Sequence, residues 1–86
     1  MDLLKNFLDG HGRVTKWPSK QHLKVEVVKY IADKFEDDQI YTEKEVNAII
    51  CKWHTYGDYF MLRRGMIECG LMKRTRDGAQ YWKVIH

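Results

Sequence analysis

Residues 41–58, YTEKEVNAIICKWHTYGD, decide how the rest of the chain is read. Thr42 and Glu45 have the spacing of a capping box, in which hydroxyl and carboxylate each satisfy a free backbone N–H of a first helical turn. Tyr41 before the cap and Val46 at the fourth helical position match the hydrophobic staple that accompanies it. Val46, Ile49, Ile50 and Trp53 then recur at i, i+3, i+4 and i+7, the apolar stripe of a helix predicted over 43–54. Thr55-Tyr56-Gly57 breaks that helix. Asp58 caps another over 59–69, which Gly70 stops.

Moving upstream, Gln39-Ile40-Tyr41 is a short extended bridge, and the acidic cluster Glu36-Asp37-Asp38 ends a preceding helix predicted over 19–35. Ser19 is its cap, Pro18 keeps Trp17 out of helical geometry, and Leu23, Val27, Val28, Ile31 and Phe35 line its buried face. Residues 9–18 form a loop or a short extended piece. Before it, Leu3, Leu4, Phe7 and Leu8 share one face of a short helix over 2–8, with Asp2 as cap and Gly10 as stop. Two turns are too few to be stable alone, so this helix is expected to dock.

Downstream, Asp77-Gly78 sits between two strand-like runs, Leu71–Arg76 and Ala79–Ile85, and predicts a hairpin over 71–85 with a two-residue loop. That loop sets Arg76 against Ala79, Arg74 against Tyr81, Lys73 against Trp82 and Leu71 against Val84. Leu71, Trp82 and Val84 are read as the core side, with the Lys73 stem along Trp82. The outer face then carries Arg74, Arg76, Tyr81 and Lys83. Helix, short strand, helix, glycine-containing turn, helix and hairpin is the order of a winged helix-turn-helix. The expected architecture is mainly α with a C-terminal β-hairpin and an extra short N-terminal helix, one domain over 1–86.

The same residues carry a resemblance. Tyr41-Thr42-Glu43-Lys44-Glu45-Val46-Asn47, Asp58, Leu62-Arg63-Arg64, Gly70-Leu71, Arg74 and Asp77-Gly78-Ala79-Gln80-Tyr81-Trp82 resemble a bacterial family known as domain of unknown function 2087, over about Arg13 to Lys83. The resemblance implies a winged-helix domain, alone or fused to other modules that include helix-turn-helix regulators. It carries no catalytic residue and no ligand.

Composition bounds the function. Eighty-six residues hold one domain, and a 44% apolar share with 13% aromatic residues supplies a core without covalent staples. Two cysteines, Cys51 and Cys69, are fewer than a secreted domain of this size carries, which points to a reducing cytoplasm. No run reaches the ~18 apolar residues of a membrane span, and no signal-peptide pattern precedes the first helix. Net charge is +3 and uneven: residues 1–42 balance seven basic against seven acidic side chains, whereas seven basic face three acidic from Lys52 onward. The electropositive C-terminal third suits phosphate binding, and a plain solvated surface has the same composition.

Side chains with functional potential fall in two places. On the helix over 59–69, a core stripe of Tyr59, Leu62, Met66 and Cys69 leaves Arg64 and Glu68 outermost, flanked by Phe60, Met61 and Ile67. A helix apolar on so many sides is either covered on two, by the N-terminal helix, by a second copy or by another protein, or has its core stripe rotated from this assignment. Phe60, Met61 and Ile67 are therefore the candidate partner interface. Arg63-Arg64 reads as a phosphate clamp or as intramolecular pairs with Asp58 or with the acidic run 43–45; Arg63 fits the second and Arg64 the first. On the hairpin, Arg74, Arg76, Tyr81 and Lys83 interleave cations with an aromatic, as a nucleic-acid backbone or an acidic partner would require. Arg64, Arg74, Arg76, Tyr81 and Lys83 are thus the candidate nucleic-acid contacts.

Cys51 and His54 at i, i+3 lack two further zinc ligands at matching spacing, so no metal is expected and both cysteines read as core or near-core thiols. Asp9-Gly10-His11-Gly12 reads as a turn, and nothing has the context of a catalytic motif or cofactor cradle. Two functions remain: a DNA-binding transcriptional regulator, favoured here and expected to act as a dimer, or a protein-interaction or dimerisation module using the apolar helix.

Overall fold

In the computed structural model, which describes residues 4–84, the capping box forms as the spacing demands. The Glu45 N–H donates to Thr42 Oγ1 at 3.1 Å and the Thr42 N–H to Glu45 Oε1 at 2.8 Å. The helix it starts, α2, runs Glu43–Lys52. The helix before it, α1, spans Gln21–Ala32, and the one after, α3, spans Tyr59–Glu68. Asp58 caps α3, its Oδ1 accepting from the Met61 N–H at 3.2 Å. Gly70 closes it in the left-handed region, at φ +72°, with Gly70 N–H bonded to the Ile67 carbonyl and Leu71 N–H to the Met66 carbonyl. That pair of bonds is a Schellman ending, which satisfies carbonyls the last turn would leave open.

Three short strands, β1 (Ile40–Tyr41), β2 (Met72–Arg74) and β3 (Tyr81–Lys83), make an antiparallel sheet in the order β1-β3-β2. The extended bridge read before α2 is thus a strand. Cross-strand partners are Ile40–Trp82, Tyr41–Tyr81, Met72–Lys83, Lys73–Trp82 and Arg74–Tyr81. The fold of the described residues is therefore three helices with a three-stranded antiparallel sheet.

One buried cluster joins the layers: Val27, Val28 and Ile31 from α1, Val46 and Ile50 from α2, Leu62 and Met66 from α3, and Tyr41, Met72 and Tyr81 from the sheet. Phe35 meets Tyr41 edge to face at 5.1 Å. The Tyr41 hydroxyl accepts from the Glu36 N–H at 2.8 Å and ties down the loop after α1.

Several expectations are corrected. The N-terminal helix is a single 3-10 turn, Lys5–Phe7, and residues 1–3 lie outside the described residues. Leu8 instead bridges Val14, and Val14 bridges His54, with Val14 N–H on the Trp53 carbonyl at 2.8 Å and Thr55 N–H on Val14 at 2.9 Å. The segment thus docks on the end of α2 through backbone bonds. α1 starts at Gln21, its cap position is Lys20 with no side-chain cap bond, and it stops at Ala32 because Lys34 and Phe35 bond three residues back.

The hairpin keeps its expected register, but its faces are reversed. Met72 and Tyr81 are buried, at 1% and 4% exposure, while Leu71, Trp82 and Val84 are half-exposed. The pairing of β1 onto β3 makes β3 central and turns Tyr81 and Tyr41 together towards the helices. The turn also differs. Thr75 N–H bonds the Gln80 carbonyl, so residues 76–79 form a four-residue loop. Within it Asp77 Oδ1 accepts from Thr75 Oγ1 at 2.7 Å and from the Ala79 N–H at 3.0 Å. Only Gly78 of the Asp77-Gly78 pair takes positive φ, +74°.

Candidate functional site

α3 is rotated from its expected setting, and Gly65 is the reason. A Cβ there would lie 2.9 Å from Val28 Cγ1, so glycine lets α1 come close. The inner stripe is the buried pair Leu62 and Met66 with the half-buried Gly65 between them, and Tyr59 moves out to 38% exposure. The cysteines are exposed rather than near the core: Cys51 lies on the outer side of α2, and Cys69, past the end of α3, lines a surface groove with Trp17 and Lys24. His54 is buried at 4% exposure with Nδ1 2.6 Å from the Ile50 carbonyl, so it and the exposed Cys51 do not converge.

What the rotation leaves outside α3 is a row one turn apart, Phe60, Arg64 and Glu68. Phe60 is 57% exposed, so the N-terminal segment does not cover this face. Arg64 Nε donates to Glu68 Oε1 at 2.9 Å, both side chains being largely in solvent. Arg63, by contrast, is nearly buried: its Nη1 donates to Asn47 Oδ1 at 2.6 Å and pairs with Glu43 Oε1 at 3.0 Å. The acidic run thus anchors Arg63, which holds α3 to the start of α2. The same guanidinium lies 5.3 Å from the Phe60 ring and 5.9 Å from the Tyr59 ring, a cation–π contact that restrains Phe60.

Between α3 and the hairpin runs an open groove of about 520 Å³. Phe60, Arg64, Ile67, Arg74 and the edge of Tyr81 line it, with Arg63, Glu43, Glu68 and Asp77 around them. Of the candidate nucleic-acid contacts, Arg64 and Arg74 share this groove and Arg76 stands exposed on the adjacent hairpin loop. Tyr81 contributes a wall of the groove from a buried position, so it is not an outward aromatic. Lys83 is elsewhere, paired with Asp37 at 3.3 Å and Asp33 at 3.8 Å beyond the end of α1. Of the candidate partner residues, Phe60 and Ile67 reach the groove; Met61 is half-buried and does not.

Electrostatically the groove is mixed. Arg63 and Arg64 have carboxylate partners, whereas among the described residues Arg74 makes only a 3.4 Å contact to the Thr75 carbonyl and neither it nor Arg76 forms an ion pair. The Asp77 carboxyl is held below its usual range by the Thr75 hydroxyl and the Ala79 N–H, so it stays ionised as part of the turn. Sequence reasoning set Glu68 on the outer face and offered the run 43–45 to Arg63, but did not name Glu68 as the partner of Arg64. The i, i+4 spacing of Arg64 and Glu68 was the available signal for that pair.

Over residues 13–83 the sequence matches the family described as an uncharacterized protein conserved in bacteria, domain of unknown function 2087. The chain belongs to that family. No curated protein and no solved structure matches it. Among the described residues of this member of the family, no helix is long and apolar enough to cross a membrane.

Proposed function

We propose that the chain is a non-enzymatic winged-helix domain that binds double-stranded DNA, as transcriptional regulators do, with α3 as its recognition helix and the hairpin as its wing. The helix and strand order, with β1 added to the hairpin as β1-β3-β2, supports the fold assignment. The observation that carries the function is the pair Arg74 and Arg76, exposed beside the uncovered outer row of α3 and, among the described residues, free of ion pairs. Arg64 adds a third cation, since a solvent-exposed i, i+4 pair yields readily to a stronger partner. The remaining polar groups of the groove hold one another, as in Arg63–Glu43, which suits a binding surface better than a reaction centre.

Fluorescence anisotropy with a random-sequence duplex at about 50 and 200 mM salt tests the reading. Three phosphate contacts give a slope near −2.7 in log K against log salt, hence about fortyfold weakening over that range. Replacing Arg74 and Arg76 by Ala leaves one contact and about a 3.5-fold change. No binding at the lower salt would overturn the assignment.

A second reading rests on Phe60, a large apolar side chain 57% exposed in a groove of balanced charge. It is a dimerisation or protein-interaction module burying Phe60 and Ile67. Sedimentation equilibrium of the wild type and Phe60→Asp checks the dimeric form: a dimer that the substitution dissociates supports it.

A further inference from the structure

Phosphate-binding surfaces present cations and neutral hydrogen-bond donors, because every contact meets the same anion. The exposed row of α3 differs: it carries one apolar side chain, one cation and one anion, Phe60, Arg64 and Glu68. Glu68 would repel a phosphate and Phe60 gains nothing from one. The major-groove edges of bases, however, present three matching features: the 5-methyl of thymine, the paired O6 and N7 acceptors of guanine, and the N4 amino donor of cytosine. Resting on the DNA reading above, we infer that at a specific site this row reads base edges, with Phe60 on a thymine methyl, Glu68 on a cytosine amino group and Arg64, kept on Glu68, exchanging the phosphate it meets on random-sequence DNA for guanine.

The local geometry suits each role. Arg64 gives Nε to Glu68 at 2.9 Å, which leaves its two terminal nitrogens as the fork that guanine accepts. Glu68 thereby orients Arg64 and keeps lone pairs for a neighbouring donor. Phe60 is restrained by the Arg63 guanidinium 5.3 Å from its ring, and Arg63 is itself fixed by Glu43 and Asn47. A helix rises 1.5 Å per residue, so Phe60 and Arg64 lie about 6 Å apart along the axis, close to two base-pair steps. The cations outside the row, Arg74 and Arg76, flank it on the hairpin, where the phosphate backbone would run.

The test is selection of duplexes from a random library by the full chain, followed by anisotropy on the selected site with single-atom or single-methyl changes. A selected site with a thymine about two base pairs from a G·C pair is expected. Replacing that thymine by deoxyuridine removes only the methyl and should weaken binding about fourfold. Phe60→Ala should show the same loss and no further response to deoxyuridine. Replacing the guanine by its 7-deaza analogue removes N7 and should weaken binding at least about fivefold in the wild type and not in Arg64→Ala.

Thermal melts of both variants control for folding. Binding that falls with salt yet shows no base preference, or a preference that survives in Phe60→Ala and Arg64→Ala, overturns this inference and leaves the DNA reading standing. Failure to bind any duplex removes both readings and points to a protein partner on the same face.

Discussion

The two sides of α3 obey different constraints. On the inner side Leu62 and Met66 are fully buried and Gly65 is a glycine because Val28 occupies the space a side chain would need. There sequence is dictated by shape. On the outer side Phe60, Arg64 and Glu68 meet solvent, and the contacts they make are an exposed ion pair and a stacked guanidinium. Interior packing is felt to the level of a methylene, whereas exposed side chains contribute little to the folded state. A helix with one face fixed by packing and the other unconstrained can present a variable surface on an invariant frame.

Leu62→Ala is the largest expected break in the inner face. It removes a fully buried side chain where α1, α2 and α3 converge and should cost about 2–5 kcal/mol, read from the urea midpoint. Gly65→Ala sharpens the shape argument because two effects oppose. Alanine gains about 1 kcal/mol in helix propensity, but its methyl falls within 3.0 Å of Val28 Cγ1. Valine in a helix has one strongly preferred rotamer and cannot swing aside, so overpacking of about 1–3 kcal/mol wins and the net effect is destabilising by about 1 kcal/mol. In the Val28→Ala background the clash disappears and Gly65→Ala should become neutral or stabilising. Equal effects in both backgrounds would mean that close approach to α1 does not explain the glycine.

That glycine also marks where the sequence stopped being readable. The capping box, the Asp58 cap, the Gly70 ending and the hairpin register are local rules, carried by residues a few positions apart, and each was legible. The rotation of α3 and the choice of hairpin face are set by distant partners. Periodicity allowed both Tyr59 and Cys69 into a core stripe, and only the approach of α1 at Gly65 selects the other setting. Likewise β2 and β3 carry apolar residues on both faces, and the pairing of β1 with β3 decides that Met72 and Tyr81 turn inward. The candidate site was therefore half legible. Arg64, Arg74 and Arg76 were found by charge, while Tyr81 and Lys83 were placed outward by an alternation that the third strand overrules. The extra N-terminal helix failed for a related reason, since Val14 pulls that segment into backbone pairing with the end of α2.

Arg63 lies between the two faces and should behave so. Its pairs with Glu43 and Asn47 fasten α3 to α2, but Glu43 remains half in solvent and loses little when left alone. Arg63→Met keeps the stem and removes the charge. It should cost about 1 kcal/mol, between the value of a charged hydrogen bond and that of an exposed pair. By releasing Phe60 it should also weaken any contact made by that ring.

The outer row should show the smallest effect on stability, and that is what gives it meaning. Arg64→Ala removes an exposed i, i+4 ion pair worth about 0.3–0.5 kcal/mol and installs a better helix former, so the two changes nearly cancel. Phe60→Ala gives up a partly exposed ring and gains propensity in the same way. Both variants should unfold within about 0.5 kcal/mol of the wild type. A loss above about 1 kcal/mol in either would show that the row belongs to the frame, held there by folding alone. With stability unchanged, any loss of binding in the same two proteins has to come from the contact itself, because the helix that presents it has not moved.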